Sequence, residues 1–295
     1  MAKAKAILKR RNVVHNTRKI TRTMELVATA KYAQSFGRIE GATPYRQTLQ
    51  DVMADLARAD VEVDHPLLRR REPAGHVTLL ALTSNRGLCG GFNTHLSRKT
   101  LEYAAAQRSA DADVDLHVVG KKGIAFMRFR GEQIHQSYTH FGDKPTFAEV
   151  ETLANTFIEA YEAERTDQVA VVYQRFHSAA VQRPAVDVLL PITARAAEGG
   201  VAVAEAPAGA VEYLYSPDAA SLLAKLLPAY FKTTLYHVFL ETVVGEHRAR
   251  MVAMKNATDS AEEMIKTLTR LYNRARQTQI TNEISEIMGG VEALK

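Results

Sequence analysis

The sequence predicts an α/β protein, with a long antiparallel coiled coil of N- and C-terminal helices and a globular, doubly wound α/β domain. Apolar residues recur at seven-residue spacing near the N-terminus, and a long proline-free stretch lies near the C-terminus. Between them, strand-like apolar segments alternate with helix-like segments. We therefore expect an N-terminal helical part over residues 1–58, a globular domain over 70–215 and a C-terminal helix over 217–295.

The first 58 residues carry the pattern of a coiled-coil seam. Two sets of residues recur every seven positions: Val13, Ile20 and Val27, and, four residues after each, Thr17, Met24 and Lys31. An a/d pattern of this kind is narrower than the apolar stripe of an ordinary surface helix and predicts packing against another helix. Pro44 predicts a kink, followed by a second helical stretch over 45–57.

The N-terminal part also holds the positive charge of the chain. Residues 1–38 contain ten lysines and arginines against one acid, Glu25, a net charge of +9, whereas the whole chain carries +5. A basic block of this size fits a solvated helix face, a nucleic-acid footprint or a surface that docks on an acidic protein. Composition alone does not choose among these three interpretations.

The last part of the chain is too long for a helix packed within one compact domain. Ser216-Pro217-Asp218 predicts a helix start, Pro228 a bend or restart, and no proline occurs between 229 and 288. Sixty helical residues would extend about 90 Å. Residues that repeat along this stretch predict a second seam: Met254, Ala261, Leu268 and Ala275, with Ala257, Met264 and Leu271 between them. After 277–279 the apolar positions shift, which predicts that the tip meets a different surface.

The middle of the chain predicts a largely parallel, Rossmann-like sheet. The expected strands cover 77–82, 114–119, 168–173, 186–190 and 211–215, and the expected helices cover 92–107, 123–130 and 146–164. Residues 194–210, rich in alanine, glycine and glutamate, are expected to form a surface loop.

No catalytic or metal-binding motif emerges from the sequence. The glycine-rich loop 83–93 follows a strand and opens a helix, but it matches neither nucleotide-binding fingerprint. Its glycines therefore fit a tight turn or a loop presented to a partner better than a phosphate site. Cys89, the single cysteine, has no evident His/Asn partner set, and the ten histidines show no ligand spacing. No apolar run approaches the roughly 18 residues that cross a bilayer.

Three blocks of residues resemble the γ subunit of the F-type ATP synthase, the central rotor shaft. These blocks are Asn16–Lys31, Thr83-Ser-Asn-Arg-Gly-Leu-Cys-Gly-Gly-Phe-Asn93, and Ala249–Asp259 with Tyr272–Ile284. They occur in the order of the family, and the likeness extends over the whole chain. The resemblance implies a non-catalytic subunit whose rotation couples ion flow through the membrane ring to ATP synthesis on the β subunits, and the reverse during ATP hydrolysis.

The resemblance also implies partners and contact residues. The partners are the α and β subunits of the catalytic hexamer, the ε subunit and the membrane c-ring, without nucleic acid, cofactor, metal or membrane insertion. The implied location is the cytoplasmic face of a bacterial inner membrane. The residues that would contact β subunits are Met24, Arg86, Gly87, Leu88, Cys89, Gly90, Arg276, Gln277 and Thr281.

Two other functions fit part of the sequence. A coiled-coil nucleic-acid binder would explain the basic N-terminus, although Tyr32 and Phe36 are the only aromatic residues there that could stack on bases. A nucleotide-dependent enzyme would explain the α/β domain, but it lacks the expected fingerprint. Neither accounts for the whole chain.

Overall fold

The computed structural model describes residues 2–58, 65–178, 181–192 and 219–292. The predicted strand over 211–215, the predicted loop over 194–210 and the predicted helix start at 216–218 lie outside these residues. The chain forms two compact units: residues 31–249, and residues 1–30 together with 250–295.

The unit over 31–249 is built on a five-stranded sheet. Its strands are β1 (His76–Leu82), β2 (Asp113–Val119), β3 (Gln136–Tyr138), β4 (Gln168–Phe176) and β5 (Gln182–Leu190), in the spatial order β3-β2-β1-β4-β5. The first four are parallel, and β5 pairs antiparallel with β4. The prediction of a largely parallel sheet is confirmed, and β5 is the antiparallel edge strand.

The connecting helices agree closely with the predicted ones. They are α2 (Phe92–Arg108), α3 (Lys121–Phe129) and α4 (Phe147–Glu162), and a short 3-10 turn spans Pro66–Leu68. Thr146 begins α4 with a capping box, in which its hydroxyl accepts from the Glu149 N–H and the Glu149 carboxylate accepts from the Thr146 N–H.

Alternation along the buried strands gives the sheet an apolar core on each face. On β1, Leu79 and Ala81 belong to a cluster with Leu96 of α2 and Met127 of α3. On the other face, Leu80 and Leu82 belong to a cluster that includes Phe157 of α4. The long C-terminal helix α5 (Ala219–Glu292) adds Phe231 and Leu235 to this second cluster. The helix therefore covers one face of the sheet.

Neither Pro44 nor Pro228 ends a helix. The first helix, α1, runs from Ala2 to Arg58 through Pro44, and α5 runs through Pro228. The predicted separate stretch over 45–57 is therefore wrong. A proline removes one N–H donor, and Pro44 lies on the exposed side of α1, where the unpaired carbonyl can bind water.

The other unit confirms the antiparallel coiled coil. In this unit α1 packs against α5, with Thr21 beside Thr258, Arg18 beside Glu262 and Arg11 beside Tyr272. In these three contacts, a higher residue number on α1 meets a lower residue number on α5. The two helices are therefore antiparallel. Of the described residues, none forms a helix long and apolar enough to cross a membrane.

The seam on α1 differs from the predicted one. Val13, Ile20 and Val27 are 57%, 61% and 51% exposed. The covered positions lie one residue later, at Val14, Thr21 and Ala28, and between them at Arg18 and Glu25. On α5, Met254, Ala261 and Leu268 are buried as predicted, but Met264 and Leu271 are exposed, and Thr258, Ile265 and Tyr272 take their place.

Candidate partner-contact site

The glycine-rich loop after β1 is held rigidly by hydrogen bonds. The Ser84 hydroxyl donates to the carbonyl oxygen of Arg86 at 2.6 Å, and the Ser84 N–H donates to Oδ1 of Asn93 at 3.0 Å. Asn85 donates through Nδ2 to the carbonyl oxygen of Phe141 at 2.7 Å. Polar side chains thus fix the loop to the sheet edge and to the start of α2.

The tip of this loop exposes Leu88 and buries Cys89. Leu88 has φ 63° and its side chain is 58% exposed, whereas Cys89 is 2% exposed. The Cys89 sulfur accepts from Nδ2 of Asn93 at 3.2 Å. A leucine in the left-handed region is strained by roughly 1–2 kcal/mol, and strain of this kind concentrates at functional sites. Arg86 and Gly90 are exposed as well, so the loop presents backbone, a cation and one apolar side chain.

The start of α3 adds two lysines, Lys121 and Lys122, that were not among the predicted contact residues. The Lys121 N–H donates to Oδ1 of Asn85 at 3.0 Å, and the Lys122 N–H donates to the carbonyl oxygen of Ser84 at 3.1 Å. Both lysines are exposed. Because β1 and β2 are parallel neighbours, the loops that follow them meet at one sheet edge. The sequence feature that could have identified these two lysines is the segment directly after the second strand, Gly120-Lys121-Lys122-Gly123.

Glycine allows α3 to start this close to the loop. Gly120 has φ 97°, and a Cβ at Gly120 or Gly123 would collide with Thr83. The Thr83 hydroxyl donates to the carbonyl oxygen of Val119 at 2.6 Å and accepts from the Gly123 N–H at 3.0 Å. These two glycines therefore serve close packing between the two loops.

The crevice where a doubly wound domain usually holds a nucleotide is filled by α5. At the carboxyl ends of β1 and β2, the cavity beside Thr83 and Phe141 measures about 30 Å³, and Phe239, Thr242 and Glu246 of α5 line it. Ligand sites are commonly about 300–1,000 Å³. The crevice at the carboxyl ends of β1 and β2 is thus occupied by the chain's own helix. This argues against a nucleotide-dependent enzyme. In the described ranges, no group of three or more histidine, cysteine, aspartate or glutamate side chains could hold a metal ion.

The remaining predicted contact residues lie in the coiled-coil unit. Met24 is half-buried on α1, and Arg276, Gln277 and Thr281 are exposed on α5. The structure does not bring these two groups together, because Thr258 lies beside Thr21 and Tyr272 beside Arg11. Met24 is therefore level with the region of α5 around 254–257. Arg276 and Thr281 lie more than four helical turns farther along.

Comparison with known proteins identifies the family. A family model described as ATP synthase matches residues 3–294. The ATP synthase gamma chain of Rhodopirellula baltica is 42% identical over 295 residues, and the alignment covers 100% of both chains. That of Leptospira biflexa is also 42% identical, over 294 residues and 100% of both chains. The chain belongs to the ATP synthase gamma chain family.

Solved structures show the same fold. A chain of the Euglena gracilis mitochondrial ATP synthase, in a structure of OSCP, F1 and the c-ring, is 21% identical, with a TM-score of 0.70 over 99% of this chain and 95% of that one. A chain of the Tetrahymena thermophila central stalk and c-ring is 22% identical, with a TM-score of 0.57 over 81% of this chain and 99% of that one. A gamma chain is a structural subunit of the synthase and is not catalytic alone.

Proposed function

We propose that this gamma chain is the central rotor shaft that couples ion flow through the membrane c-ring to ATP synthesis on the β subunits, and the reverse during hydrolysis. The observation that carries the proposal is the antiparallel α1–α5 pair in a chain that matches gamma chains from end to end. Such a pair can transmit torque, because each helix holds the other along its length. The filled crevice beside Thr83 fits a subunit that acts through contacts and not through a bound nucleotide.

The proposed partners are the α and β subunits of the catalytic hexamer, the ε subunit and the c-ring. Met24 and the loop Arg86–Gly90 would contact an acidic segment of β, which the +9 charge of residues 1–38 also favours. In that loop Leu88 would supply the side-chain contact, whereas the buried Cys89 would contribute only backbone. Arg276, Gln277 and Thr281, all exposed on α5, would contact a second loop of β.

The location we propose is the cytoplasmic face of a bacterial inner membrane, where the chain would be peripheral and bound through the c-ring. It would make no insertion of its own into the lipid and bind no nucleic acid. The basic N-terminus would then serve protein partners.

Co-expression with α and β subunits tests the assembly. The full chain should co-purify with a ring that hydrolyses ATP, and a bead attached to the chain should rotate during hydrolysis. Duplex DNA at 150 mM salt should not compete for the chain. Failure to co-purify, or hydrolysis without rotation, would refute the rotor assignment.

Disulfide cross-linking tests the contact site. Leu88→Cys on the exposed loop tip should cross-link to a cysteine placed in the acidic segment of β, and the cross-link should stop ATP hydrolysis until it is reduced. Glu102→Cys, exposed on α2, is the matched control and should not cross-link. Equal cross-linking from both positions would show that the loop is not the contact.

A further inference from the structure

Strand β4 ends against both long helices. The side chain of its last residue, Phe176, packs on an apolar cluster that contains Ile39 of α1 and Leu240 of α5. The ring centroid of Phe176 lies 5.6 Å from that of Phe36 on α1. All of these residues belong to the unit over 31–249. The end of an inner strand of the sheet therefore contacts the two helices at one point.

A buried carboxylate on α5 binds the backbone of the same strand end. Oε2 of Glu241 accepts a hydrogen bond from the Phe176 N–H at 2.8 Å. Oε1 of Glu241 lies 3.0 Å from Nδ1 of His237, which precedes it by one helical turn. The Glu241 and His237 side chains are 8% and 5% exposed. A carboxylate is rarely buried unless it is paired, and here each oxygen has a contact within the chain. We name Phe176, Glu241 and His237 the β4 joint.

Side-chain contacts connect β4 and β5 beside the β4 joint. The Tyr173 hydroxyl donates to Oδ2 of Asp187 on β5 at 2.8 Å, and Nε of Arg175 donates to the Tyr173 hydroxyl at 2.9 Å. Arg175 also forms a close ion pair with Asp187. Burial, reinforced by the charges of Glu241 and Asp187, raises the pKa of Tyr173. The charge of Glu241 thus acts on this network, and the part of the sheet that meets α5 is braced from β4 to β5.

The hydrogen bond in the β4 joint differs in kind from the packing around it. Much of the contact between α5 and the sheet is apolar, as at Phe231 and Leu235. Apolar burial is non-directional and follows the buried area. A hydrogen bond, by contrast, weakens steeply as its angle departs from linear. The bond from the Phe176 N–H to Glu241 therefore fixes the rotation of α5 against β4 more sharply than apolar packing does.

The covalent chain connects its two units only through α1 and α5. It crosses from one unit to the other at 30–31 and at 249–250, and both crossings lie inside these helices. The proposed β contacts Met24, Arg276 and Thr281 belong to the coiled-coil unit. Torque from the c-ring would therefore enter through the unit that holds the sheet and pass from the sheet to the helices.

We infer that Glu241 is a positioning residue for torque transmission, which keeps α5 from turning against the sheet by holding the backbone of Phe176. This inference rests on the proposed function, in which the chain turns as a rotor. His237 in turn orients the carboxylate through its contact with Oε1. Without the β4 joint, the sheet would turn through a wider angle before α5 follows, so each step of the c-ring would reach the β subunits less sharply.

Single-molecule measurement on the assembled complex tests the β4 joint. The α–β ring is fixed to a surface without ATP, and a bead attached through Glu102→Cys, exposed on α2, reports the angle of the sheet. Glu241→Leu removes the acceptor, and loss of a charge-assisted hydrogen bond raises the population of the released arrangement by about tenfold or more. The angular variance of the bead should then rise at least about twofold. Glu241→Gln keeps an acceptor oxygen and should stay closer to the variance of the chain with Glu241.

Thr166→Val is the matched control for stability. It removes a buried hydroxyl that bonds to Thr78 at the other end of β4, so it should lower the melting temperature of the free chain without widening the angle of the bead. An equal rise in variance for Thr166→Val and Glu241→Leu, or no rise for Glu241→Leu, would overturn the inference.

The remaining outcomes separate the inference from the proposed function. If the wild-type chain does not assemble, or does not rotate when ATP is added, the rotor proposal itself fails. His237→Leu covers a Glu241→Leu chain that does not assemble, because it leaves the strand contact of Glu241 in place and removes only the orienting imidazole. Its variance should exceed that of Thr166→Val, and a variance no greater than that control would equally refute the inference.

Discussion

Thr258 on α5 donates its hydroxyl hydrogen to Oγ1 of Thr21 on α1, at 2.8 Å. Thr258 is buried, and its hydroxyl also lies 2.8 Å from the carbonyl oxygen of Met254. Two polar side chains thus meet at a position of the coiled coil that aliphatic residues usually occupy. The seam of the helix pair therefore includes a satisfied polar contact, and Val13, Ile20 and Val27 of α1 point away from it.

The threonine pair should show coupled effects on stability. Thr258→Val leaves Oγ1 of Thr21 without its donor, so the free energy of unfolding should fall by about 1 kcal/mol. The double variant Thr21→Val/Thr258→Val removes both hydroxyls and should recover most of that loss. Urea titration of the full chain, followed by circular dichroism, measures the four members of this cycle. Additive losses would mean that the two hydroxyls do not act as a pair.

Glycines in the two long helices should respond oppositely to substitution by alanine. A Cβ at Gly245 would lie 2.5 Å from Cγ and 3.0 Å from Cβ of Gln174 on β4, so α5 approaches the sheet closely there. Gly245→Ala should destabilise the fold by about 1–3 kcal/mol. A Cβ at Gly37 would have no neighbour within 4 Å. Gly37→Ala should therefore stabilise the fold by about 0.5–1 kcal/mol through helix propensity.

Thermal unfolding of both variants and of the wild type gives the comparison. The Gly37→Ala protein is the control, because it makes the same chemical change in a helix without a close neighbour. A Gly245→Ala protein that melts at or above the wild-type temperature would show that α5 can accept the extra methyl group against β4.

Sequence patterns located β1, β2, β4 and β5 of the sheet but missed the three-residue β3, and they misplaced the seam of the coiled coil on α1. Strands such as 77–82 are short, apolar and bounded by glycine or polar residues, so their limits are local properties. Two stripes on α1, one residue apart in sequence, could form the seam. Which of them faces α5 decides where the seam lies. Ile20 and Val27 are more apolar than Thr21 and Ala28, but small or polar residues permit the closer approach. A sequence cannot tell whether an apolar stripe packs within the chain or on a partner.

The position of the glycine-rich loop 83–93 could be predicted from the sequence. Which of its side chains are exposed could not. The position of Gly87, Gly90 and Gly91 after a strand predicted a turn or a presented loop. Cys89 is buried because it packs in the apolar cluster with Ala81 and Leu96, which leaves Leu88 exposed, and no local pattern reveals that packing.

Replacing Leu88 with asparagine should separate stability from assembly. Asparagine tolerates the left-handed conformation, so Leu88→Asn should raise the free energy of unfolding by about 0.5–1 kcal/mol. The same change removes the exposed aliphatic side chain of the loop tip and should weaken assembly with α and β subunits. Melting temperature and the yield of the co-purified complex measure the two effects.

A second left-handed residue supplies the control for Leu88. Glu164 has φ 57° and lies on the turn after α4. Glu164→Asn relieves the same backbone strain but loses the exposed ion pair with Arg71, so stability should change by less than about 1 kcal/mol, with no effect on complex yield. An assembly yield unchanged by Leu88→Asn would remove the leucine side chain from the proposed contact.

The imidazole of His117 should make the sheet sensitive to acid. Burial, together with the neighbouring charge of His135, lowers the pKa of His117 to about 4, and Asp115 opposes the shift. The unfolded chain, with a pKa of about 6.5, binds a proton at a higher pH than the folded chain does. Stability is therefore fully present above pH 6.5 and falls as the pH drops toward 4, by up to about 3 kcal/mol.

Urea unfolding between pH 4 and pH 8 tests this dependence. His117→Gln should reduce the slope of stability against pH between 4 and 6.5, even if the variant is less stable at pH 7. His177→Gln, at an exposed position, should keep the wild-type slope. A His117→Gln protein with an unchanged slope would assign the acid sensitivity to carboxyl groups alone.

The basic residues of α1 divide into two structural classes, which makes a charge-reversal experiment decisive. Arg10 and Lys19 are exposed, whereas Arg11 and Arg18 are half-buried along the seam. The guanidinium carbon of Arg11 lies 5.6 Å from the ring centroid of Tyr272, and Arg18 pairs with Glu262. Two of these four charges therefore point outward.

Reversing the exposed pair should change coupling without changing the fold. Exposed ion pairs contribute only about 0–1 kcal/mol, so Arg10→Glu/Lys19→Glu should melt within a few degrees of the wild type. In the complex, however, each charge would lie close to acidic groups on the ring. That separation would be within the Debye length, which is about 8 Å at physiological salt. We therefore expect weaker assembly, or ATP hydrolysis that no longer pumps ions, with partial rescue when acids on β are reversed.

The matched variant Arg11→Glu/Arg18→Glu changes the net charge by the same amount but sets a carboxylate against Glu262 and removes the contact with Tyr272. It should lower the melting temperature as well as coupling, because both changes act within the chain. Ion pumping in inverted membrane vesicles and thermal unfolding of the free chain together distinguish the two variants. Normal pumping by Arg10→Glu/Lys19→Glu would mean that the outward charge is only a solvated face, since a rotor that passes close to acidic segments must feel a reversal of four charge units.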